Sequence, residues 1–537
     1  MNRLYYGDNL EVLRKYIADE SVDLIYLDPP FNSKADYNIL YKEQNGSQSA
    51  SQIKAFSDFW HWDEEAQETY EYLLDTRNVQ SSVAVAVKAI IDLIGKNDVS
   101  AYLVMMTVRL VELRRVLKET GSIYLHCDPT ASHYLKIIMD VIFHPENFRN
   151  EIVWRRSHPK GLAFTRFASD HDIILVYAKY NERAKWHLVY KRYDEKEVAR
   201  QYSHVDENGR RYQLTSLLNP NLNRPNLTYE FKGVTRVWRW TKERMMEEDA
   251  RGRIAVPKGG KGIPRYIRYL DEQEGIPVDD IWEDIEFAKG DERLGYPTQK
   301  PLMLMERIIE ASSDKDSVIL DPFCGCGTAL DAAEKLHREW IGIDITHLAI
   351  NVIKKRLRDR YPDVKFEVIG EPKDLEGARE LAKQDRYQFQ WWACSLMDAA
   401  PYENRKRGAD TGIDCVLYNP VKGTNRTYYG IVQVKSGNVT SSQVRDFKGT
   451  MEREKADYGI FLTLEDPTEP MNKEAVVAGH IKTEWNASIP KVQILTIKEL
   501  LEGKQPEFPF PPDNYRQAKR ELRSDYDKSK VKSLEKF

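Results

Sequence analysis

Residues 318–328 constrain the fold most strongly, because a short apolar run ends there in a turn that contains Gly325 and Gly327. Glycines let the backbone approach a ligand closely and adopt positive φ angles. Asp344 lies 19 residues after Gly325, at the end of the next apolar run. An acid at that distance can hold both hydroxyls of a ribose, so the pattern predicts an α/β nucleotide-binding unit. The turn is not GxGxxG, which favours a nucleoside over a dinucleotide, although a plain tight turn would use the same glycines.

A second apolar run, residues 22–27, ends directly in Asp28-Pro29-Pro30-Phe31. The two prolines remove two backbone donors and stiffen the turn. The Asp28 carboxylate and the Pro29 carbonyl could accept both hydrogens of an amino group, and Phe31 could stack on a base rotated out of a duplex. Taken alone, the tetrapeptide is equally compatible with a proline turn that only closes a fold.

The charge distribution indicates a local contact with phosphates. The net charge of the chain is −4, but residues 149–270 contain 26 Lys and Arg against 14 Asp and Glu. A basic segment inside an acidic protein can bind nucleic acid locally, although a solvated lysine-rich surface has the same composition. The aromatic and basic residues that interleave there are Trp186, Tyr190, Lys191, Arg192, Tyr193, Arg210, Arg211, Tyr212, Arg236, Trp238, Arg239 and Trp240.

Cysteine content and hydropathy bear on the cellular setting. The five cysteines are few and odd in number, which favours a reduced compartment. No apolar run approaches the roughly 18–20 residues that span a bilayer, and the first residues do not resemble an export signal. We therefore expect a cytoplasmic protein with no membrane partner. Cys324 and Cys326 do not have the spacing of a metal site.

Four elements occur in a diagnostic order: the Asp28-Pro29-Pro30-Phe31 motif, the basic segment, the GYPTQKP segment at 295–301, and the DPFCGCGT loop at 321–328. In this order the chain resembles the class beta amino-DNA methyltransferases, except that Cys326 stands where serine is usual. The resemblance covers roughly residues 1–360. It implies a circularly permuted Rossmann-like sheet that binds S-adenosylmethionine, an inserted target-recognition region, double-stranded DNA as the partner, and a prokaryotic or phage origin. A homodimer is a further expectation.

The resemblance also assigns site residues. The tetrapeptide would be catalytic, with Asp28 and Phe31 holding the target base. Aspartate first and phenylalanine last favour adenine N6 over cytosine N4 as the target. The residues that would bind the cofactor are Asp8, Thr298, Lys300, Asp321, Phe323, Gly325, Gly327 and Asp344.

Residues 376–505 begin a new α/β unit with a helix predicted at 381–399 and apolar strands after it. Gln433 and Lys435 lie two apart on one predicted strand, so both face the same way. With Asp414, this pattern resembles the Mrr-like branch of the restriction-endonuclease fold. The resemblance implies Asp414 and Gln433 as Mg²⁺ ligands and Lys435 as a nuclease catalytic residue, while Gln390 stands where such folds often carry glutamate. An inactive domain that only holds DNA is the alternative.

The predicted organisation is a catalytic half (1–150), a target-recognition insert (151–290), a cofactor half (291–370), a restriction-endonuclease-like domain (376–505) and a charged tail (513–537). The leading hypothesis is a site-specific adenine-N6 DNA methyltransferase with a fused nuclease, as in restriction–modification. The alternatives are a cytosine-N4 enzyme, a DNA-binding regulator without catalysis, and a nuclease whose methylation protects its own DNA.

Overall fold

The computed structural model describes residues 1–30, 61–157, 167–257, 262–294, 299–402, 412–421, 424, 426–484 and 487–512, and the backbone alone of 36–42 and 48–57. The predicted charged tail, 513–537, lies outside the described residues. The chain divides into two compact units. Of the described residues, one unit contains 1–187 and 280–512, and the other contains 188–279.

The first unit begins with alternating strands and helices, as the apolar runs predict. Helix α1 starts where it does because the Asp8 side chain accepts hydrogen bonds from the backbone N–H groups of Leu10 and Glu11. The elements are β1 (Asn2–Tyr6), α1 (Asn9–Tyr16), β2 (Val22–Leu27), β3 (Asp36–Lys42), β4 (Gln48–Ser57), α2 (Glu64–Leu74), α3 (Ser81–Ile94), α4 (Asp98–Val116), β5 (Leu117–Cys127), α5 (Ser132–Phe143), β6 (Phe148–Arg155) and β7 (His171–Ala178).

The second unit, residues 188–279, consists of short strands and two helices around a small core. That core contains Leu217, Phe231, Trp238, Met245 and Ile254. The elements are β8 (Tyr190–Lys191), α6 (Glu195–Gln201), β9 (His204–Val205), β10 (Arg211–Ser216), β11 (Thr228–Phe231), β12 (Val234–Val237), α7 (Lys242–Ala250), β13 (Ile254–Ala255), β14 (Arg265–Tyr269) and β15 (Ile276–Pro277).

The chain then returns to the first unit and completes its large sheet. The elements are β16 (Ile281–Trp282), α8 (Leu302–Ser312), β17 (Val318–Asp321), α9 (Thr328–Lys335), β18 (Glu339–Asp344), α10 (His347–Arg360) and β19 (Phe366–Ile369). Nine strands pair in the order β16-β6-β7-β5-β2-β17-β18-β1-β19. All neighbours are parallel except β7, which is antiparallel to both β5 and β6.

The centre of this sheet joins two distant parts of the chain. Strand β17 pairs in parallel with β2, with Ile319 opposite Leu24 and Leu320 opposite Ile25. The catalytic half of the chain therefore precedes the cofactor half in sequence but completes the same sheet. The prediction of a circularly permuted α/β sheet is confirmed.

The compact second unit covers fewer residues, 188–279, than the insert predicted at 151–290. Strands β6, β7 and β16 pair within the large sheet. The reason is visible in β7, where the run HDIILVYA is almost wholly buried, as expected for an internal strand with both faces covered. Only residues 188–279 cluster separately.

The C-terminal part of the first unit is a smaller α/β layer. Its elements are α11 (Leu375–Gln384), α12 (Arg386–Ser395), β20 (Ala400–Pro401), β21 (Cys415–Pro420), β22 (Thr427–Lys435), α13 (Ser441–Arg453), β23 (Tyr458–Thr463), α14 (Glu469–Val477), β24 (His480–Lys482), β25 (Ser488–Pro490), β26 (Val492–Thr496) and α15 (Ile497–Leu501). Strands pair in the order β20-β21-β22-β23-β26, and β22, β23 and β26 are parallel. The predicted α/β class of this region is confirmed.

Two local predictions fail in this region. The single helix expected at 381–399 is wrong, because Asp385 ends α11 and its side chain caps α12 through the N–H groups of Tyr387 and Gln388. Cys394 and Cys415 form a disulfide, whereas only reduced cysteines were expected. Within the described residues, no helix is long and apolar enough to cross a membrane.

Candidate active site

The carboxyl ends of β2 and β17 bring two predicted motifs to one edge of the sheet. Asp28 follows β2, and Asp321 ends β17. Nζ of Lys300 donates to Oδ2 of Asp28, and Lys300 is 8% exposed. Oδ1 of Asp28 is buried and has no hydrogen-bond partner among the described residues. Burying a polar atom without a partner is costly, so this oxygen is a candidate acceptor for a ligand.

The turn after β17 has the close-approach geometry that its glycines predict. Gly325 and Gly327 have φ angles of 48° and 74°. A Cβ added to Gly327 would lie 2.8 Å from Cγ1 of Ile353, so no larger residue fits there. The backbone N–H of Gly325 donates to Oδ2 of Asp344 at 2.9 Å. The loop and the acid that the sequence predicted as partners are thus in direct contact.

Two carboxyl groups flank this turn, that of Asp321, which is buried, and that of Asp344, which is partly buried. Burial raises the pKa of Asp344 to about 6, although the N–H and hydroxyl groups of Thr346 donate to its Oδ1. Burial also raises the pKa of Asp321 well above its usual range, even though Oδ1 accepts from the N–H of Phe323 at 3.1 Å. Groups with strongly raised pKa values in such a place mark a functional-site candidate. A ligand that brings positive charge and hydroxyl donors fits this edge.

Asp8, which the sequence predicts to contact the cofactor, makes two kinds of contact within the protein. Besides capping α1, its Oδ2 accepts from Nη2 of Arg109 at 2.7 Å. Asn9 donates to the backbone oxygen of Pro322 at 2.8 Å and accepts from Arg109, which ties α1 to the cofactor turn. Sequence reasoning missed Asn9 and Arg109, because their partners lie about 100 and 313 residues away.

A buried polar chain crosses the sheet next to this edge. Oη of Tyr26 lies 2.9 Å from Nδ1 of His126, and Nε2 of His126 lies 3.1 Å from Oδ2 of Asp172. All three side chains are buried. Tyr26 lies on β2 two residues before Asp28, which directly follows the strand. The sequence signals this hydrogen-bonded network only through polar residues within otherwise apolar strands.

The remaining predicted residues of this site have different outcomes. Pro29 is buried and Pro30 partly buried, and Phe323 packs against the main core. Phe31 and Thr298 lie outside the described residues. Cys324 and Cys326 are buried thiols whose pKa burial raises. No group of three or more side chains that could hold a metal occurs in the described parts of the chain.

In the second unit, the basic and aromatic residues separate into two sets. Trp238 is fully buried in the small core, so it is unsuited to contact DNA. Arg210 pairs with Asp271 at 2.7 Å and with Glu272 at 2.8 Å, which neutralises it. Arg211, Arg236 and Arg239 are exposed and form no ion pair with a described acidic side chain. The cations that remain available for phosphates are thus fewer than the sequence suggested.

In the C-terminal layer, Asp414 directly precedes β21, and Gln433 and Lys435 lie on the neighbouring strand β22. Oδ2 of Asp414 accepts from the backbone N–H of Val434, the residue between Gln433 and Lys435, at 2.7 Å. Gln433 and Gln390 are buried, and Lys435 is partly buried. One carboxylate and one amide are a weak ligand set for Mg²⁺, which prefers carboxylates and water. The described residues therefore do not fit a magnesium centre well.

Comparisons with known proteins agree with this division. Residues 22–355 match the family model described as DNA methylase, and residues 381–501 match one described as restriction endonuclease. The type II methyltransferase M.EcaI of Enterobacter cloacae is 34% identical over 48% of this chain and 57% of that protein. The type III restriction-modification enzyme StyLTI Mod subunit of Salmonella typhimurium is 27% identical over 63% of this chain and 50% of that protein. The chain thus spans about half the length of these relatives.

Solved structures give a more distant likeness. The complex of M1.HpyAVI with S-adenosylmethionine is 16% identical, covers 66% of this chain and 99% of that chain, and has a TM-score of 0.32. The PvuII DNA methyltransferase, named as cytosine-N4-specific, is 14% identical, covers 67% and 87%, and has a TM-score of 0.30. The family match is independent of these scores. Because one family model spans well over half of its residues, the chain belongs to the DNA methylase family.

Proposed function

We propose that this chain is a site-specific DNA methyltransferase that moves a methyl group from S-adenosylmethionine to N6 of adenine in double-stranded DNA. The observation that carries the proposal is Oδ1 of Asp28, which is buried and has no partner among the described residues, at the sheet edge that also holds the glycine turn, the buried Asp321 and the partly buried Asp344. This edge of the sheet therefore offers a hydrogen-bond acceptor for an amino group and, at the glycine turn, space for a nucleoside.

The residues at the turn fit the cofactor. S-adenosylmethionine supplies an activated methyl group on a sulfonium centre when it is bound. Gly325 and Gly327 leave room for a nucleoside to approach the backbone, and Asp344 can accept from both ribose hydroxyls. The carboxyl groups of Asp321, which is buried, and Asp344, which is partly buried, favour a cationic ligand, because positive charge offsets the cost of ionising them there.

The reaction needs a positioned amine more than a strong base. Asp28 Oδ1 accepts one N–H of the exocyclic amine, and the carbonyl of Pro29 accepts the other. The nitrogen lone pair would then face the methyl group of the bound donor. The new N–C bond would form as the S–C bond breaks to leave a neutral thioether, and the proton that the amine loses would pass to Oδ1 of Asp28. Lys300 holds the other oxygen of Asp28 and so fixes the direction of the carboxylate. Positioning and electrostatic stabilisation are sufficient for this transfer.

Adenine is favoured over cytosine because aspartate opens the tetrapeptide and phenylalanine closes it. The test is incubation of the full chain with unmethylated genomic DNA and S-adenosylmethionine, followed by nucleoside mass spectrometry. We expect N6-methyladenine. If N4-methylcytosine forms instead, the protein is a cytosine-N4 methyltransferase. If neither product forms, the proposal is overturned in favour of a DNA-binding regulator without catalysis.

A second candidate function is cleavage of DNA by the C-terminal layer. It is favoured by the restriction endonuclease match and by the adjacency of Asp414, Gln433 and Lys435. The predicted ligands Asp414 and Gln433 fit Mg²⁺ poorly, because they supply only one carboxylate. Nicking of unmethylated plasmid with Mg²⁺, lost in Lys435→Ala while methyl transfer stays within about twofold, would support this candidate. No nicking by the wild-type chain leaves a layer that only holds DNA.

Homodimerisation is also part of the proposal. Sedimentation of the full chain, alone and with a DNA duplex, tests it. We expect a species of twice the chain mass, and a single chain per duplex would contradict it.

A further inference from the structure

The cofactor turn is supported from behind by helix α10. Nη1 of Arg356 donates to the backbone oxygen of Cys326 and to Oγ1 of Thr328, both at 3.1 Å. Nε of Arg356 donates to Oδ2 of Asp331 at 2.6 Å. Ile353 of the same helix fills the space that a side chain at position 327 would need. The position of α10 therefore determines the shape of the turn.

The same face of α10 also contributes to the core of the C-terminal layer, because Leu348, Val352 and Arg356 are spaced four residues apart along the helix. Leu348 and Val352 are buried in one apolar cluster with residues of β21, β22, β23 and α13. The members from those elements are Val416, Ile431, Val444, Phe447, Met451 and Phe461. Cys326 of the turn is itself in this cluster and is 4% exposed. The residue that departs from the usual serine is thus an apolar contact in a shared core.

The first turn of α10 carries a third link. The N–H and hydroxyl groups of Thr346 hold Asp344, and the next N–H, that of His347, donates to Oε1 of Gln388 on α12 at 3.5 Å. The buried ring of His347 stacks on Tyr6, with ring centroids 3.7 Å apart. The acid expected to bind ribose, at the end of β18, and the contact with α12, at the start of α10, are therefore only three residues apart.

We propose that the C-terminal layer positions the cofactor turn through α10, so that Leu348 and Val352 act as positioning residues for S-adenosylmethionine. This inference rests on the proposed function of the turn. Packed interiors are dense and transmit small displacements, so loss of volume where α10 meets the C-terminal layer shifts the turn that packs against the same helix. By thermodynamic reciprocity, cofactor binding then also stabilises the C-terminal layer.

The test measures S-adenosylmethionine binding to the full-length protein by calorimetry, with steady-state kinetics beside it. Val352→Ala is expected to raise the Kd and the KM for the cofactor about fivefold, which is at the lower end of the usual range for coupling between two sites. Leu348→Ala is expected to raise both by more. The kcat and the KM for DNA stay within about twofold. Val476→Ala, on an exposed residue of α14 in the same layer, is the matched control and leaves the Kd unchanged.

The outcomes separate the inference from the proposed function. A merely structural role would lower the melting temperature of Val352→Ala and leave the Kd unchanged, which would overturn the inference. Absence of cofactor binding by the wild-type chain would overturn the proposed function and the inference with it. If Leu348→Ala fails to fold, hydrogen exchange of the wild-type chain decides. Slower exchange in α12 and β21 on addition of S-adenosylmethionine supports the inference, and protection confined to residues 1–370 overturns it.

Discussion

Two sheet edges in this molecule each carry an aspartate and a lysine that the sequence predicted as site residues, yet the two edges offer different chemistry. At the edge formed by β2 and β17, Oδ1 of Asp28 is buried and has no partner among the described residues, and Asp321 contributes a buried carboxyl group. At the edge formed by β21 and β22, Asp414 accepts from the backbone of Val434, and Gln433 replaces the usual acid. A short motif therefore predicts which residues meet. Which oxygen atoms at each edge can still accept a hydrogen bond or a metal ion decides what ligand the edge can bind.

The largest effect is expected from Asp28→Asn, which removes an acceptor oxygen and keeps the shape of the side chain. The rate of methyl transfer should fall about 10²–10³-fold, because a positioned polar group aimed at the reacting atom is lost. The Kd for S-adenosylmethionine should change less than threefold. Single-turnover rates and calorimetry measure the two effects.

Asp19→Asn is the control, since Asp19 is exposed beyond α1 and pairs with Arg115. Its rate should match that of the wild type. A rate within tenfold of the wild type for Asp28→Asn would contradict the assignment of Asp28 to the base.

Gly327→Ala should weaken cofactor binding about tenfold or more. The new Cβ would lie 2.8 Å from Ile353, and the φ angle of 74° is strained for alanine. Calorimetry measures the Kd, and thermal unfolding measures the cost to the fold. Gly449→Ala, on an exposed helix position with nothing within 4 Å, should leave the Kd unchanged. Equal affinities in both variants would show that the turn does not hold the cofactor.

Asp344 makes cofactor binding depend on pH. Its pKa is raised by burial to about 6, so the carboxylate that accepts ribose hydroxyls becomes protonated as the pH falls below that value. The Kd should therefore rise about tenfold for each unit of pH below 6 and stay flat above 7. Calorimetry between pH 5 and 8 measures this change. Asp344→Asn should bind weakly with a flat profile, and an unchanged slope in that variant would assign the titration elsewhere.

The smallest effect is expected in the second unit. Arg236→Ala should weaken DNA binding a few-fold and reduce the slope of log K against log salt by about one, because one phosphate contact is lost. Arg210→Ala is the matched comparison, since its charge is already neutralised by Asp271 and Glu272. Fluorescence anisotropy over a salt series measures both. An equal change in the two variants would mean that local ion pairs do not decide which arginines contact DNA.

Much of this fold could be predicted from sequence, because its central strands are buried runs that end in recognisable turns. Strands β2 and β17 are followed by Asp28-Pro29 and by the glycine turn, and parallel pairing brings their ends together. The pairing of Lys300 with Asp28 could not be predicted from spacing, since 272 residues separate them. The boundary at Asp385 was missed because an N-cap inside a long apolar pattern has only a weak local signal.

The central claim is that the ends of β2 and β17 form one site, with the base at Asp28 and the methyl donor at the glycine turn. The most direct test is a crystal structure of the full chain with S-adenosylhomocysteine and a duplex that contains its recognition sequence. We predict a flipped base whose exocyclic nitrogen lies within hydrogen-bond distance of Asp28 Oδ1, and a ribose held by Asp344. A flipped base held elsewhere, or a cofactor bound away from the turn at 321–328, would contradict the account.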